Sequence, residues 1–596
     1  MKAISNPFEF EAANNLKDED IIKFYIEDHN YTRFIRSTKN IFIVGERGAG
    51  KTMTLLYNSF SIQYKISQGN KAIANFDKIG IHVPCNTPLF HKKEYLLLKE
   101  EHKKYIICEH YLVLSILFNI AKTLSEIPEI KDGLSKIDNY NIQNLQYIWG
   151  TSHDFRSEYF FNDIRTFVNK EIRETQIKIN TYGNDSFYET SYSFSSLLLP
   201  FFDLLKSIPC LKDSHFLLMI DDAHDMNEYQ IRTLNSWIAY RDHSIFSFKI
   251  AIARIAELDR QTSSGGSILE GHDYLTIEMG KDLYNKDSDF YKFAKDIIET
   301  RLSRIGINIP AETFFPPNND FLKDIEVARS KARILAETKY SEPKKITEYI
   351  KKYHRAIYFR DRSPKANTPP YAGFETLVDI STGIIRNLLD PCYWMFDNIV
   401  SEDNFDISKL TEISPAIQNS IIQQRSASLW TILREGLDKI IPNCSNKEGE
   451  QIYTMFDRLM ILFKKRLLAD ISEPRAIVFT LTGEKKFPQE YEHIKKLLDI
   501  SRKAQMLYTR ISSGKQLGSK TIYYVPNRML LPDRGLDIKG QYSQVPIPVK
   551  DLYQTITLDQ DLPFFLENRN NDSSSHQLTL NLIRVFTTDY YSIFYR

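Results

Sequence analysis

Cysteine is scarce. Cys85, Cys108, Cys210, Cys392 and Cys444 are scattered through 596 residues with no CxxC pair, so neither a zinc site nor a disulfide framework is signalled. No run reaches the roughly 18 uninterrupted apolar residues of a bilayer-spanning helix. The opening MKAISNPFEFEAANN has no apolar run behind its charge, which excludes a secretory leader. Charge of one sign is also missing: 77 Lys and Arg stand against 76 Asp and Glu, so a surface for a polyanion must come from local clustering. HExxH is absent, as are a nuclease constellation and any internal repeat. What is present is ordinary: 42% apolar and 26% charged residues, the balance of a globular chain long enough for about two to four domains. A reduced, cytoplasmic, multidomain protein without membrane contact is expected.

The chain opens with a polar segment over 1–40, helical near 19–35, then turns apolar at Asn40-Ile-Phe-Ile-Val44, a run suited to a buried parallel strand. Further strands are expected at 79–83, 216–220, 246–253 and 274–279, with a helix at 227–240 and a buried helix at 111–127. Strands alternating with helices predict an α/β fold with a parallel sheet. Beyond 281 the pattern is helical to about 400, broken by the loop Arg362-Ser-Pro-Lys-Ala-Asn-Thr-Pro-Pro370. Then come helices near 415–440 and 446–470, a strand near 476–482, a helix near 488–505, and a hairpin whose arms, 507–511 and 521–525, flank a polar tip.

Gly45-Glu-Arg-Gly-Ala-Gly-Lys-Thr52 fits G-x-x-x-x-G-K-[ST], with a strand before it and a helix after it. Glycines in such a loop let backbone N–H groups turn toward phosphates at the positive end of the helix. Gly45, Glu46, Arg47, Gly48, Ala49, Gly50 and Met53 would wrap the nucleotide. Lys51 would reach the β- and γ-phosphates, and the Thr52 hydroxyl would ligate Mg²⁺. The metal also needs a carboxylate on a neighbouring buried strand, and Phe216-Leu-Leu-Met-Ile-Asp-Asp222 supplies it. Asp221 would hold the metal through water, and Asp222 would orient the attacking water with a side chain shorter than the usual Glu. ATP and Mg²⁺ are the expected ligands. Ser263-Ser-Gly-Gly-Ser267 looks faintly like the signature of ABC ATPases, but it follows the acidic strand instead of preceding it and reads as a loop.

A sheet followed by an all-helical module is the order of AAA+ ATPases, and several stretches resemble their prokaryotic origin-recognition-complex-like branch. Asn6-Pro-Phe8 looks like that group's opener. Ile220-Asp-Asp-Ala-His224, with Gln230, Leu234 and Arg241 after it, and Glu299-Thr-Arg-Leu302 at the lid entry look similar too. Ser381-Thr-Gly-Ile-Ile-Arg-Asn-Leu-Leu389 resembles the second sensor motif, which implies that Arg386 reaches the γ-phosphate from the lid. The resemblance implies an N-terminal strap over 1–40 packing on the nucleotide site, an AAA+ core over 41–281, a helical lid over 282–400 and a winged-helix-like domain over 401–596. Two departures stand out. The strand that should end in a small polar first sensor offers Arg254 instead. Lys51 and Asp221 are 170 residues apart, an excess on the order of 100 over two strand–helix–strand units, so a largely helical insertion is expected within 86–190. Sites shared between subunits would make the protein a homo-oligomer, with Arg241 and Arg254 as candidate arginines acting in trans.

From Lys485 to Arg534 there are eleven Lys and Arg against four Asp and Glu, a net +7 that leaves −6 for the remainder. Lys495, Lys496, Arg502 and Lys503 on the candidate recognition helix, and Arg510, Lys515 and Lys520 in or beside the hairpin, could track nucleic-acid phosphates. Two functions follow. One is a slow or partner-stimulated ATPase switch that couples nucleotide state to duplex DNA. The other is the ATPase sensor or scaffold of a bacterial antiphage or toxin-type defence system that activates a separate effector protein. A protein that binds nucleotide without turnover is a third reading. The Gly535-Leu-Asp-Ile-Lys-Gly540 stretch carries no chemical signal.

Overall fold

The computed structural model describes residues 6–9, 13–26, 31–67, 75–85, 96, 98–181, 190–239, 244–254, 259–279, 289–362, 369–401, 405–442, 444–471, 474–513, 520–539 and 543–564. Five parallel strands, β1 (Ile41–Gly45), β2 (Lys78–Pro84), β3 (His215–Asp221), β4 (Phe246–Ala253) and β5 (Leu275–Glu278), form a sheet in the order β2-β3-β4-β1-β5. β3 and β4 are buried along their whole length, which is why both read as unbroken apolar runs. The order places β1 beside β4, so consecutive crossovers leave the sheet on opposite sides and open a crevice at the carboxyl ends of the strands.

Between β2 and β3 the expected insertion is helical: Glu101–Leu124, Pro128–Leu134, Asn139–Trp149, Phe160–Asn180 and Leu199–Ser207. Glu101–Leu124 is long and apolar enough in composition to cross a bilayer, a property that the unbroken-run test missed. Its most apolar stretch is 67% buried inside the protein, where it shares one core with the sheet. Trp149 is pinned in that core by stacking on Phe167 at 5.4 Å and by donating Nε1–H to the Leu197 carbonyl.

The lid consists of the helices Asp289–Ser303, Ala311–Phe314, Asn319–Lys339, Pro343–Asp361, Phe374–Ile380 and Ile385–Val400. Two of these, Asn319–Lys339 and Pro343–Asp361, form a long antiparallel pair. Ala328, Ala332 and Ala336 repeat every four residues on one buried face of the first, which allows close approach. The N-terminal opener belongs to this body. Phe8 is fully buried against Phe315 and Phe396, and Arg301 Nη1 donates to the carbonyls of Pro7 (2.9 Å) and Glu9 (2.7 Å).

The C-terminal region has helices Pro415–Glu435, Asn446–Leu468 and Pro488–Lys503 around a second sheet. Its strands are β6 (Ala476–Thr482), β7 (Leu507–Ser513), β8 (Lys520–Pro526) and β9 (Ser543–Pro548), in the order β7-β8-β6-β9. The β6, helix, β7–β8 hairpin sequence, with β8 between its two antiparallel partners, is a winged-helix-like arrangement. β9 was not expected, because Pro546 and Pro548 interrupt its pattern; both are tolerated in an edge strand, where a missing N–H costs no ladder bond. The uninterpreted 535–540 stretch has a structural task. Leu536 and Ile538 enter the core shared with the lid, and Asp537 accepts a forked pair of bonds from Arg355 at 2.6–3.0 Å. Burial pushes the Asp537 carboxyl up, but Arg355 outweighs it and holds the group below its usual range.

Removing one member of a buried ion pair leaves the other uncompensated, at a cost of about 3–5 kcal/mol. Asp537→Ala should therefore lower the urea midpoint sharply. An Arg355→Leu/Asp537→Leu double variant should recover most of the loss.

Candidate nucleotide site

The crevice at the carboxyl ends of β1 and β3 collects the expected residues. β1 ends at Gly45, and the loop reaches the Lys51–Tyr57 helix through Gly48 (φ +84°) and Gly50 (φ +96°), both in the left-handed region that other residues avoid. Lys51 is buried, and its Nζ donates to the carbonyls of Gly45 (2.9 Å) and Glu46 (3.0 Å). Burial lowers its pKa, and the Asp222 and Asp221 charges oppose that shift. The ammonium is thus held at the loop's centre beside two carboxylates.

Asp221 is fully buried. Its Oδ2 accepts from His82 Nε2 (3.1 Å) at the end of β2, and its Oδ1 accepts the Asp222 backbone N–H (2.9 Å). Asp222 itself adopts φ +54°, which turns its side chain out of the strand and into the cavity. Burial, then the Asp221 charge, pushes its carboxyl up to about 6. Arg47 Nη2 lies 3.3 Å from His224 Nε2 and 4.0 Å from Asp225 Oδ1, which steadies the outer wall.

The lid closes the site from above. The Arg386 backbone N–H approaches the Gly48 carbonyl at 3.4 Å, and a Cβ on Gly48 would stand 2.7 Å from that of Arg386. The cavity measures about 400 Å³. Its lining joins Lys51, Thr52, Asp222 and Arg386 to the apolar side chains of Ile26, Phe293, Ile297 and Leu389 and to the ring of Tyr25, with Glu9 and Arg301 also in the wall. Tyr25 stacks on Tyr57 at 3.8 Å, so the segment after the Asp18–Phe24 helix forms a wall of the cavity. Cationic and polar groups beside apolar side chains fit a nucleoside triphosphate. Thr52 and Asp221 are oxygen donors of the kind Mg²⁺ takes, but Asp221 is fully buried, bonded to His82 and the Asp222 N–H, and does not line the cavity.

The remaining expected residues divide. Arg241 and Lys515 lie outside the described residues, and of Lys520 only the backbone in β8 is described. Arg254 does not line the cavity. Its Nη1 donates to the Thr509 carbonyl in β7 (3.1 Å), and its guanidinium lies 3.9 Å from Glu46 and 3.5 Å from Glu278. Arg502 likewise faces inward, donating Nη2–H to the Arg254 carbonyl (2.7 Å), and Arg510 is desolvated enough to bring its pKa down to about 9. Lys496 and Lys503 are exposed, with Lys496 paired to Glu448, whereas Lys495 is half-buried. The basic group on the Pro488–Lys503 helix is therefore split, because Lys496 and Lys503 share one helical face and Arg502 belongs to the docked one.

Sequence reasoning missed His82, the cavity wall at Tyr25 and the apolar side chains of the lining.

These features define a P-loop nucleotide-binding protein with a lid. A family model described as ORC-CDC6-like matches residues 6–345 and 327–547, and the chain belongs to that family, as its motifs implied. Two solved structures also match the chain. The Cdc6p of Pyrobaculum aerophilum is 11% identical with a TM-score of 0.27, over 92% of this chain and 97% of that one. The Aeropyrum pernix ORC1 protein in complex with DNA is 9% identical with a TM-score of 0.29, over 86% and 93%. No curated protein gives a significant match.

Asp222 makes a pH prediction. Its folded pKa of about 6 lies above the ordinary 3.8, so the folded chain holds a proton that the unfolded chain has lost, and stability falls as pH rises through that window. Without nucleotide or metal, Asp222→Asn should match the wild-type melting temperature near pH 4 and exceed it by a few degrees at pH 7.5. Melting curves across pH check this; equal gaps at both pH values would contradict it.

Proposed function

We propose that the protein is an ATP-hydrolysing switch whose nucleotide state governs engagement of duplex DNA by its C-terminal domain. The observation that carries the reading is the lid helix beginning on the phosphate loop, which brings Arg386 into the same cavity as Lys51, Thr52 and Asp222. Lys51 would hold the β- and γ-phosphates, Thr52 and Asp221 would hold Mg²⁺, and Arg386 would read the γ-phosphate from the lid. Bound Mg²⁺ would neutralise phosphate charge. Asp222, a carboxylate above pH 6, would orient water for attack on the γ-phosphorus as the bond to the ADP oxygen breaks. His82 would keep the Asp221 carboxylate turned to its task. Exposed Lys496 and Lys503 support a phosphate-tracking face, and the DNA in the Aeropyrum pernix ORC1 complex is of the matching class. Free thiols at all five cysteines suit a reducing, cytoplasmic setting.

A second reading has its own support. The insertion exposes Tyr140 (66%), Tyr147 (85%), Ile148 and Tyr159, apolar surface suited to a separately encoded effector or a second subunit. A defence scaffold would use that face and be indifferent to DNA.

Steady-state ATP turnover with and without duplex DNA tests the proposal. Lys51→Ala should abolish turnover, Arg386→Ala should lower it on the order of 10²-fold or more, and DNA should raise it in the wild type. Binding of ATP without turnover in both conditions would overturn the DNA-coupled reading and favour the scaffold.

A further inference from the structure

β4 ends where a small polar residue reading the γ-phosphate was expected, and Arg254 stands there instead. It holds the phosphate loop twice: its backbone N–H donates to the Gly45 carbonyl (3.2 Å), and its guanidinium faces the Glu46 carboxylate. It holds the C-terminal domain twice as well, donating to the Thr509 carbonyl and accepting from Arg502. Arg254 and Glu46 side chains are each only 16% exposed, so this pairing is poorly screened by solvent. Burial pushes the Glu46 carboxyl up, and Arg254 and Arg502 are the leading charges that draw it back. The neighbouring residue of β7, Tyr508, accepts through its hydroxyl from Asn387 Nδ2 (3.0 Å), one position beyond Arg386 on the lid helix. β7 thus touches the arginine at the end of β4 and the lid arginine's helix at adjacent residues.

We propose that Arg254 is a positioning residue that clamps the phosphate loop, through Glu46, to strand β7 of the C-terminal domain, so that nucleotide binding and docking of that domain form one coupled equilibrium. The docked arrangement keeps Arg502 and Arg510 against the core, and opening the clamp releases both toward a polyanion. Coupling is reciprocal: whatever factor nucleotide exerts on docking, docking exerts on nucleotide affinity. This deepens the switch reading above and rests on it only for the nucleotide and DNA arms of the test.

The experiment uses the full chain labelled at exposed Thr38→Cys and Gln489→Cys, with energy transfer between the labels reporting docking. Wild type should show one high-transfer population. Arg254→Ala should shift it to lower transfer without nucleotide, shrink the change that ATP produces, and tighten duplex DNA binding about five- to tenfold. Arg254→Lys, which keeps the charge, should stay within about twofold of wild type in DNA affinity, a rescue that loss of packing alone would not give. Unchanged transfer in Arg254→Ala overturns the clamp. If that variant does not fold, Arg502→Ala opens the same junction from the other side and should shift transfer in the same direction; no shift overturns the proposal equally. A wild type that binds no ATP by titration calorimetry would defeat the switch reading instead, while the nucleotide-free comparison still decides the clamp.

Discussion

The first turn of the lid helix rests on a glycine. Gly48 sits at φ +84° in the phosphate loop, its carbonyl meets the Arg386 N–H, and the place where a methyl would stand is taken by the Arg386 Cβ. Everything about the site follows from that contact. It sets the distance from the lid arginine to Lys51, closes the cavity above the β1 and β3 strand ends, and leaves part of the wall to the segment around Tyr25. At Gly48 and Gly50, where the loop receives the lid helix, there is no room for a side chain, so these glycines answer two demands at once.

The C-terminal domain is built on the same junction. β7 docks on Arg254 and Asn387, Arg528 donates its backbone N–H to Thr382 just ahead of the lid helix, and Asp537 is paired with Arg355 of the lid. One hydrophobic core runs from Phe8 through the lid to Leu562. The lid therefore packs in one body with the C-terminal domain's inner face, whereas one face of the β1–β5 sheet shares a separate core with the insertion. Relative motion between these two bodies concentrates its consequences at the few polar contacts that cross between them, and Arg254 and Arg386 are among those.

Much of this was legible in the residues. Gly45–Thr52 and Ile220–Asp222 carry their chemistry in local spacing, and a buried strand followed by glycines or paired acids has few other uses. The Ser381–Arg386 motif was legible only through the order of elements that puts a lid there. Three features were beyond reach for stated reasons. His82 is an unremarkable residue until β2 pairs with β3 and brings it to Asp221. Arg254 reads as a sensor or a subunit contact, because two of its partners within the chain, Glu46 and Thr509, are separated from it by 208 and 255 positions. The basic cluster of 485–534 looks continuous in sequence, yet helical geometry assigns Arg502 and Lys503 to different surroundings one residue apart.

The Gly48 contact is tested most directly by titration calorimetry of ATP into wild type and Gly48→Ala. An alanine must adopt a left-handed backbone, at about 1–2 kcal/mol, and displace the lid arginine as well, so affinity should fall about tenfold or more. Melting of the C-terminal domain should remain unchanged. Equal ATP affinity in the two proteins would contradict the account, because the lid could then sit elsewhere without cost to the site.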